Sequence, residues 1–232
     1  MSIQEAGTSR PKALDPPLWE ALRGLGHAVS YDTGDTILFQ GSPSESMLLL
    51  DSGLAAVSVA HPGGDEVFLA FRGPGSLLGE FGYLDRRPRS AMVRAATPAQ
   101  CRVLTRATLD RFLQADPRAA QAVTAAVVAK MRAVTDRRVR YAQGRIGTRI
   151  ARMLLDHVDE FGVPATQGPG LVIDVPLAQA RIADLVGARP RIVGLELARL
   201  QEAGLVDTGY RSRPRRLRVL DPAGLAQRVR GS

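Results

Sequence analysis

The sequence predicts an α+β chain in which an antiparallel β domain is followed by one long helix and then by a mainly helical domain that ends in a β-hairpin. Two patterns carry this prediction. Turn signals recur about every ten residues over 28–104, and a helical pattern occupies 107–142. A third observation, the distribution of charge, separates the two halves of the chain.

Positive charge is concentrated in the C-terminal half. Residues 1–120 hold 12 Lys and Arg against 13 Asp and Glu, whereas residues 121–232 hold 19 against 10. Contacts with phosphate are a main reason to concentrate positive charge, so this division indicates a sensor joined to a polyanion-binding unit. A general preference for arginine is the alternative, because only Lys12 and Lys130 are lysines.

The β domain, predicted over 18–115, is defined by its turns. Gly, Pro, Asp and Ser cluster between short apolar segments such as 47–50 and 54–59. The turn sequences lie at 32–35, 40–43, 51–53, 61–65 and 73–75. Such spacing favours an antiparallel sandwich or barrel. The segment before it, up to Pro17, is expected to be disordered.

A long helix is predicted over 117–143, after a break at Asp116 and Pro117. It carries a stripe of residues with alternating spacings of four and three, which is typical of a two-helix seam. The stripe consists of Val127, Met131, Val134, Arg138 and Tyr141. It packs either on its own sensor domain or on the same helix of a second copy, and we expect a homodimer. Gly144 and Gly147 then form a predicted hinge.

The C-terminal domain, predicted over 145–228, contains a helix at 149–161, a loop at 163–170, a strand at 171–175 and further helices from Leu177. The segment 179–200 has the residue types of a helix-turn-helix. Its small residue, turn glycine and locking valine are Ala183, Gly187 and Val193, and its expected core residues are Ile182, Val186, Leu197 and Leu200. A plain helical hairpin is the alternative.

A basic hairpin is predicted to follow the two helices. Segments 205–210 and 215–220 flank a tip that holds Arg211, Arg213 and Arg215. Five arginines between 211 and 218 have no acid among them, and neighbouring like charges repel unless a counter-charge is present. We therefore expect these arginines to contact DNA phosphates.

Residues 79–95, GEFGYLDRRPRSAMVRA, resemble the phosphate-binding cassette of cyclic-nucleotide-binding domains. Together with the helix-turn-helix, this motif makes residues 20–225 resemble the Crp/Fnr family of bacterial transcription regulators. The resemblance implies a β-roll, a dimerisation helix, a hinge and a winged helix-turn-helix. It also implies a homodimer on a near-palindromic double-stranded DNA site, with RNA polymerase as a further partner. An effector bound in the β-roll would reposition the DNA-binding heads through the hinge.

The resemblance assigns effector-binding roles within the cassette. Glu80 is expected to accept a hydrogen bond from a ribose 2′-hydroxyl, and Arg89 to pair with a cyclic phosphate. Ser90, Ala91 and the backbone near Gly79 would complete the cradle around cyclic AMP or another cyclic nucleotide.

Two departures from the best-known cyclic AMP receptor leave the effector open. The cassette is one residue shorter, and Thr135 matches an adenine-contacting threonine while Asp136 replaces the serine after it. A sensor that binds no ligand is the alternative.

The start of the predicted recognition helix also departs from the family. Ser-Arg-Glu-Thr is usual, whereas residues 189–192 read Arg-Pro-Arg-Ile. We expect Arg191, with Arg189 as a second candidate, to read guanine through O6 and N7, and Leu195 to face a thymine methyl group or nothing. The target sequence should therefore differ from the common one.

Other function classes find little support. Cys101 is the only cysteine, and His27, His61 and His157 are scattered, so no metal, haem or iron–sulfur cluster is expected. No arrangement suggests a catalytic triad or paired carboxylates, so an enzyme is not expected. No apolar run is long enough to span a membrane, which favours a cytoplasmic protein. A nucleotide-binding module that regulates a protein partner stays open as an alternative.

Overall fold

The computed structural model describes residues 14, 16–61, 63–209 and 216–231, and the chain divides between Ala133 and Val134 into two units. The first unit contains α1 (Pro16–Leu25), β1 (His27–Tyr31), β2 (Thr36–Leu38), β3 (Ser46–Ser52), β4 (Ala55–Ala60), β5 (Glu66–Arg72), β6 (Leu77–Leu78), α2 (Glu80–Asp85), β7 (Met92–Ala95), β8 (Ala99–Thr105), α3 (Arg106–Ala115) and most of α4 (Pro117–Ala142). Its strands form two four-stranded sheets, in the orders β1-β8-β3-β6 and β2-β7-β4-β5.

Both sheets are antiparallel throughout, which confirms the predicted β domain. Ile37 and Val93 from one sheet pack with Leu48, Leu50 and Cys101 from the other in a shared core. The sheets therefore face each other, and the only cysteine is part of their apolar interior.

The N-terminal expectation is wrong where the structure describes this segment. Pro16 and Pro17 begin helix α1, since the first helical turn needs no backbone donor from them. Leu18 and Leu22 of α1 are buried in a second apolar cluster that includes Leu109 of α3. Residues 1–13 and 15 lie outside the described part of the chain.

Helix α4 begins where the sequence predicts, because Asp116 separates it from α3 and caps it. The Asp116 carboxylate accepts hydrogen bonds from the backbone N–H groups of Arg118, at 2.9 Å, and Ala119, at 3.2 Å. The predicted seam needs correction, however. Val127 and Tyr141 are buried within their own units, while the exposed apolar side chains of α4 are Val128, Met131, Val134 and Val139.

The second unit contains α5 (Ile146–Phe161), β9 (Gly162–Pro164), β10 (Leu171–Ile173), α6 (Gln179–Val186), α7 (Pro190–Glu202), β11 (Val206–Asp207), β12 (Leu217–Val219) and α8 (Pro222–Arg230). Its strands form one antiparallel sheet in the order β11-β12-β10-β9. Helix α5 packs against α6, α7 and α8, and its buried Ile150, Met153 and Leu154 lie in the core of the unit.

The two glycines of the predicted hinge occupy different positions, because only residues 143–145 separate α4 from α5. Gly144 adopts a φ of 85°, which glycine reaches without strain. Gly147 instead lies in the first turn of α5, where a Cβ atom would stand 2.8 Å from a carboxylate oxygen of Glu196. Its role is therefore close packing between α5 and α7.

None of the helices in the described residues has the length and apolarity needed to cross a membrane.

His157, on the buried face of α5, should make stability depend on pH. Its Nδ1 atom lies 2.8 Å from the carbonyl oxygen of Met153, and burial lowers the pKa of the imidazole from 6.5 to about 4. The unfolded chain therefore binds the proton first as the pH falls from 6.5 towards 4, and the unfolding free energy should decrease by about 3 kcal/mol across that window. Above pH 6.5 this contribution is fully present.

Urea denaturation followed by circular dichroism at several pH values measures this slope. His157→Gln should flatten the pH dependence between about pH 6.5 and pH 4. A variant with the slope of the parent chain would show that other groups cause it.

Candidate functional site

The predicted cassette forms a tight turn into the short helix α2. Gly79, immediately before α2, has a φ of 75°, and a Cβ atom at this position would lie 2.1 Å from Nη1 of Arg89. Both the backbone conformation and the lack of space therefore require glycine here. This close approach brings the backbone of Gly79 against the arginine that the sequence analysis selected.

Arg89 is buried, with 5% of its surface exposed. Its Nη1 donates to the carbonyl oxygen of Gly79 at 2.7 Å, and Nη2 donates to the carbonyl oxygen and the hydroxyl oxygen of Ser46. Its Nε has no hydrogen-bond partner in the described chain, and no ion pair to Arg89 is found there. Burial lowers the pKa of this guanidinium, although nearby Glu80 opposes the change. The site thus holds a buried cation bonded to neutral groups.

Glu80 is equally buried, with 2% of its surface exposed, and it is paired with a residue that the sequence analysis missed. Nζ of Lys130, on α4, lies 2.6 Å from Oε1 of Glu80 and donates to the carbonyl oxygen of Leu77 at 3.0 Å. Burial lowers the pKa of Lys130, Glu80 raises it, and the charge of Arg72 lowers it further. The sequence signal for this residue was that Lys130 is one of only two lysines in a chain rich in arginine.

The predicted effector residues therefore separate into two groups. Gly79, Glu80 and Arg89 come together in the interior of the first unit. Ser90 is exposed and Ala91 is half-buried. Thr135 is exposed on the part of α4 that belongs to the second unit.

The predicted helix-turn-helix is formed by α6 and α7. Gly187 ends α6 with a φ of 63°, and the backbone N–H of Ala188 donates to the carbonyl oxygen of Ala183 at 3.0 Å. All six expected packing positions are buried: Ile182, Ala183, Val186, Val193, Leu197 and Leu200. Pro190 is the first residue of α7, where its missing N–H needs no partner.

The outer face of α7 is exposed at its N-terminal end. Arg189 and Arg191 are exposed, as are the aliphatic side chains of Ile192 and Leu195. Glu196 is turned towards the protein and pairs with Arg199. The first two turns of α7 thus present arginine and aliphatic groups to the solvent.

The predicted hairpin is confirmed by the antiparallel pairing of β11 and β12. Its tip, with Arg211, Arg213 and Arg215, lies outside the described residues. The two arginines that follow have acidic partners from other parts of the chain. Nε of Arg216 lies 3.1 Å from Oδ1 of Asp174, and Nη2 of Arg218 lies 3.4 Å from Oδ2 of Asp207.

Both units match known domain families. Residues 28–116 match the cyclic nucleotide-binding domain, and residues 148–228 match the Crp-like helix-turn-helix domain. The chain belongs to the Crp/Fnr family. This Crp/Fnr chain is therefore a Crp-like transcriptional regulator with a cyclic-nucleotide-binding domain and a helix-turn-helix DNA-binding domain.

Relatives of this Crp/Fnr chain are similar over most of their length. The CRP-like cAMP-activated global transcriptional regulator of Mycobacterium tuberculosis is 24% identical over 94% of this chain and 95% of its own. The global nitrogen regulator of Synechococcus elongatus is 26% identical over 85% of this chain and 87% of its own. The crystal structure of TTHB099, a CRP-family transcriptional regulator of Thermus thermophilus, is similar to this chain with a TM-score of 0.73 and 27% sequence identity. The similarity covers 88% of this chain and 97% of TTHB099.

Proposed function

We propose that this regulator is a homodimer that binds near-palindromic DNA and is controlled by a cyclic nucleotide or a related anionic effector held by Arg89 and Glu80. The observation that carries the effector assignment is the buried Arg89 guanidinium, which has no ion-pair partner in the described chain. Burying a charge without a counter-charge is costly. A bound phosphate would supply that charge.

The charges around Glu80 support an anionic effector. Glu80 acts electrostatically on both Arg89 and Lys130, and Glu45 acts on Arg89 as well. Glu80 is already paired with Lys130, however, and no ion pair to Arg89 is found in the described residues. A charged phosphate ester would supply that partner for Arg89, and Glu80 would accept a hydrogen bond from its ribose hydroxyl.

Lys130 gives the proposed effector a direct route to α4. Its ammonium group donates to Glu80, and a ribose hydroxyl at Glu80 would compete for the same carboxylate. Binding would then change what holds this part of α4 to the β domain. A ligand shifts a conformational equilibrium only through such differential contacts with its two states.

At the DNA end, we assign base reading to Arg191, with Arg189 as a second candidate. Both are exposed at the N-terminus of α7, and a guanidinium can donate two hydrogen bonds to O6 and N7 of guanine. Arg211, Arg213 and Arg215 are proposed phosphate contacts that would set affinity. Two copies of α7 would enter successive major grooves, with RNA polymerase as a further partner in the cytoplasm.

Calorimetric titration of the full chain with cyclic AMP, cyclic GMP and cyclic di-GMP tests the effector assignment. At least one should bind to the parent chain, and Arg89→Leu should abolish its heat of binding, because the anion would lose its buried counter-charge. Arg87→Leu is the matched control, since Arg87 is exposed in the same loop and should leave binding unchanged. If none of the three binds, the regulator acts without a cyclic nucleotide and this part of the proposal fails.

The proposed homodimer can be tested by a substitution on the exposed face of α4. Met131, 56% exposed on α4, lies one turn from exposed Val128, and together they offer an apolar strip to a second copy. Met131→Glu should place a carboxylate in that seam and convert the protein to a monomer, as measured by analytical ultracentrifugation. Ala129→Glu is the control, because Ala129 is exposed but, one and two residues from Val128 and Met131, lies on a different face of α4. A parent chain that sediments as a monomer would contradict the assembly.

A further inference from the structure

Helix α7 presents two large aliphatic side chains beside its exposed arginines. Ile192 is 36% exposed and Leu195 is 54% exposed, and a spacing of three places them next to each other on one helix face. The buried face of α7 consists of Val193, Leu197 and Leu200. Ile192 and Leu195 are therefore an apolar surface and not part of the core.

The polar groups of α7 narrow what this surface can contact. Arg189 and Arg191 lie at the same end of the helix, so a second copy of this face would bring like charges together, whereas DNA attracts them. The nearest acid, Glu196, is only 15% exposed at its side chain and pairs with Arg199. From 189 to 195 the helix offers donors and methyl groups but no carboxylate that could accept from cytosine N4.

In the major groove the apolar group that a base presents is the thymine methyl group. We infer that Ile192 and Leu195 read thymine methyl groups, so that each half-site contains thymines beside the base pair contacted by Arg191. This inference rests on the proposed sequence-specific DNA binding and adds the chemistry of the half-site. Cytosine methylated at C5 carries the same methyl group and would be accepted at these positions.

The helix geometry sets the spacing of the thymines. Three residues of an α-helix advance about 4.5 Å along its axis, and successive base pairs are about 3.4 Å apart. Ile192 and Leu195 therefore address neighbouring base pairs, with the two methyl groups on the same strand or on opposite strands.

Replacing thymine by uracil removes only the methyl group and tests this reading directly. The probe is a duplex enriched by the full chain from a randomised pool, with uracil placed at one thymine at a time. Loss of one buried methyl contact should weaken binding about fourfold, and loss at both half-sites about fifteenfold. At a position where cytosine replaces thymine, 5-methylcytosine should recover part of that loss.

Protein variants assign the effect to individual side chains. In Leu195→Ala, and separately in Ile192→Ala, one thymine position should become insensitive to uracil, because the contacting side chain is gone. Glu202→Ala, at the opposite end of α7, should keep the full uracil effect. Both aliphatic residues are exposed, so their truncation should leave the fold intact.

The outcomes separate this inference from the function on which it rests. If a motif is enriched but uracil duplexes bind as tightly as thymine duplexes, methyl reading is wrong and sequence-specific DNA binding stands. If no motif is enriched, both are wrong. If Leu195→Ala changes the sedimentation of the protein and not its uracil sensitivity, this surface contacts a second copy and the inference is overturned.

Discussion

Glu80→Gln is expected to lower the unfolding free energy of the first unit by about 3 kcal/mol. The substitution removes the charge that Lys130 faces at 2.6 Å and leaves a largely buried ammonium group with neutral acceptors. Removing one partner of a buried ion pair typically costs about 3 to 5 kcal/mol, far more than the loss of an exposed pair. Trp19, the only tryptophan, packs against the first-unit core, so its fluorescence during urea denaturation measures this change.

The same variant should show a distinctive pH dependence. Burial already lowers the pKa of Lys130, and the loss of Glu80 removes the charge that opposes this shift. The unfolded chain then binds a proton that the folded chain releases, so stability should rise with pH up to the ordinary pKa of lysine, 10.5. The parent chain should show a weaker rise.

The double variant Glu80→Gln, Lys130→Met is the control for this pair. It removes both charges and keeps similar side-chain volumes, so it should recover most of the lost stability. Equal stability of the parent chain and Glu80→Gln would show that the Lys130 ammonium is solvated, and the proposed link between the effector and α4 would lose its basis.

Arg191→Ala should cost about 1 to 3 kcal/mol of DNA binding at each half-site, and about twice that on a symmetric site. A bidentate contact to guanine discriminates among bases, so the preference at one base pair of each half-site should be relaxed. Fluorescence anisotropy with duplexes altered at single positions measures both effects. The salt dependence should change little, because base contacts release few counterions.

Arg213→Ala is the comparison variant, since phosphate contact is proposed for this arginine of the hairpin tip. It should weaken all sequences to a similar extent and reduce the slope of affinity against salt concentration. If Arg191→Ala and Arg213→Ala lose the same affinity on every DNA sequence, the division between base reading and phosphate contact is contradicted.

Local patterns predicted much of this fold. The turns of the β domain, the break before α4 and the helix-turn-helix all depend on residues close together in sequence, such as Asp116 before Pro117 or Gly187 after α6. The six buried packing positions of α6 and α7 followed from the helix-turn-helix pattern of a small residue, a turn glycine and a locking valine. Glu80 and Arg89, nine positions apart in the cassette motif, are both buried in the first unit.

Contacts between distant residues were beyond local patterns. Lys130 and Glu80 are separated by 50 positions, and Asp174 reaches Arg216 only because β10 pairs with β12. Helix α4 has a buried stripe, which includes Val127, and an exposed stripe, which includes Met131. Helical spacing does not tell the two apart, so the sequence prediction assigned both residues to one seam. Strand β9 was missed because three edge residues that include Gly162 and Pro164 carry almost no strand signal.

Selection of duplexes from a randomised pool by the full chain, with and without each cyclic nucleotide, tests the central claim most directly. We expect enrichment of a near-palindromic motif whose half-sites are centred about 34 Å apart, one helical turn of DNA. Enrichment should depend on Arg191 and on the effector that binds at Arg89. A folded protein that enriches no motif, or one without two-fold symmetry, would contradict the account.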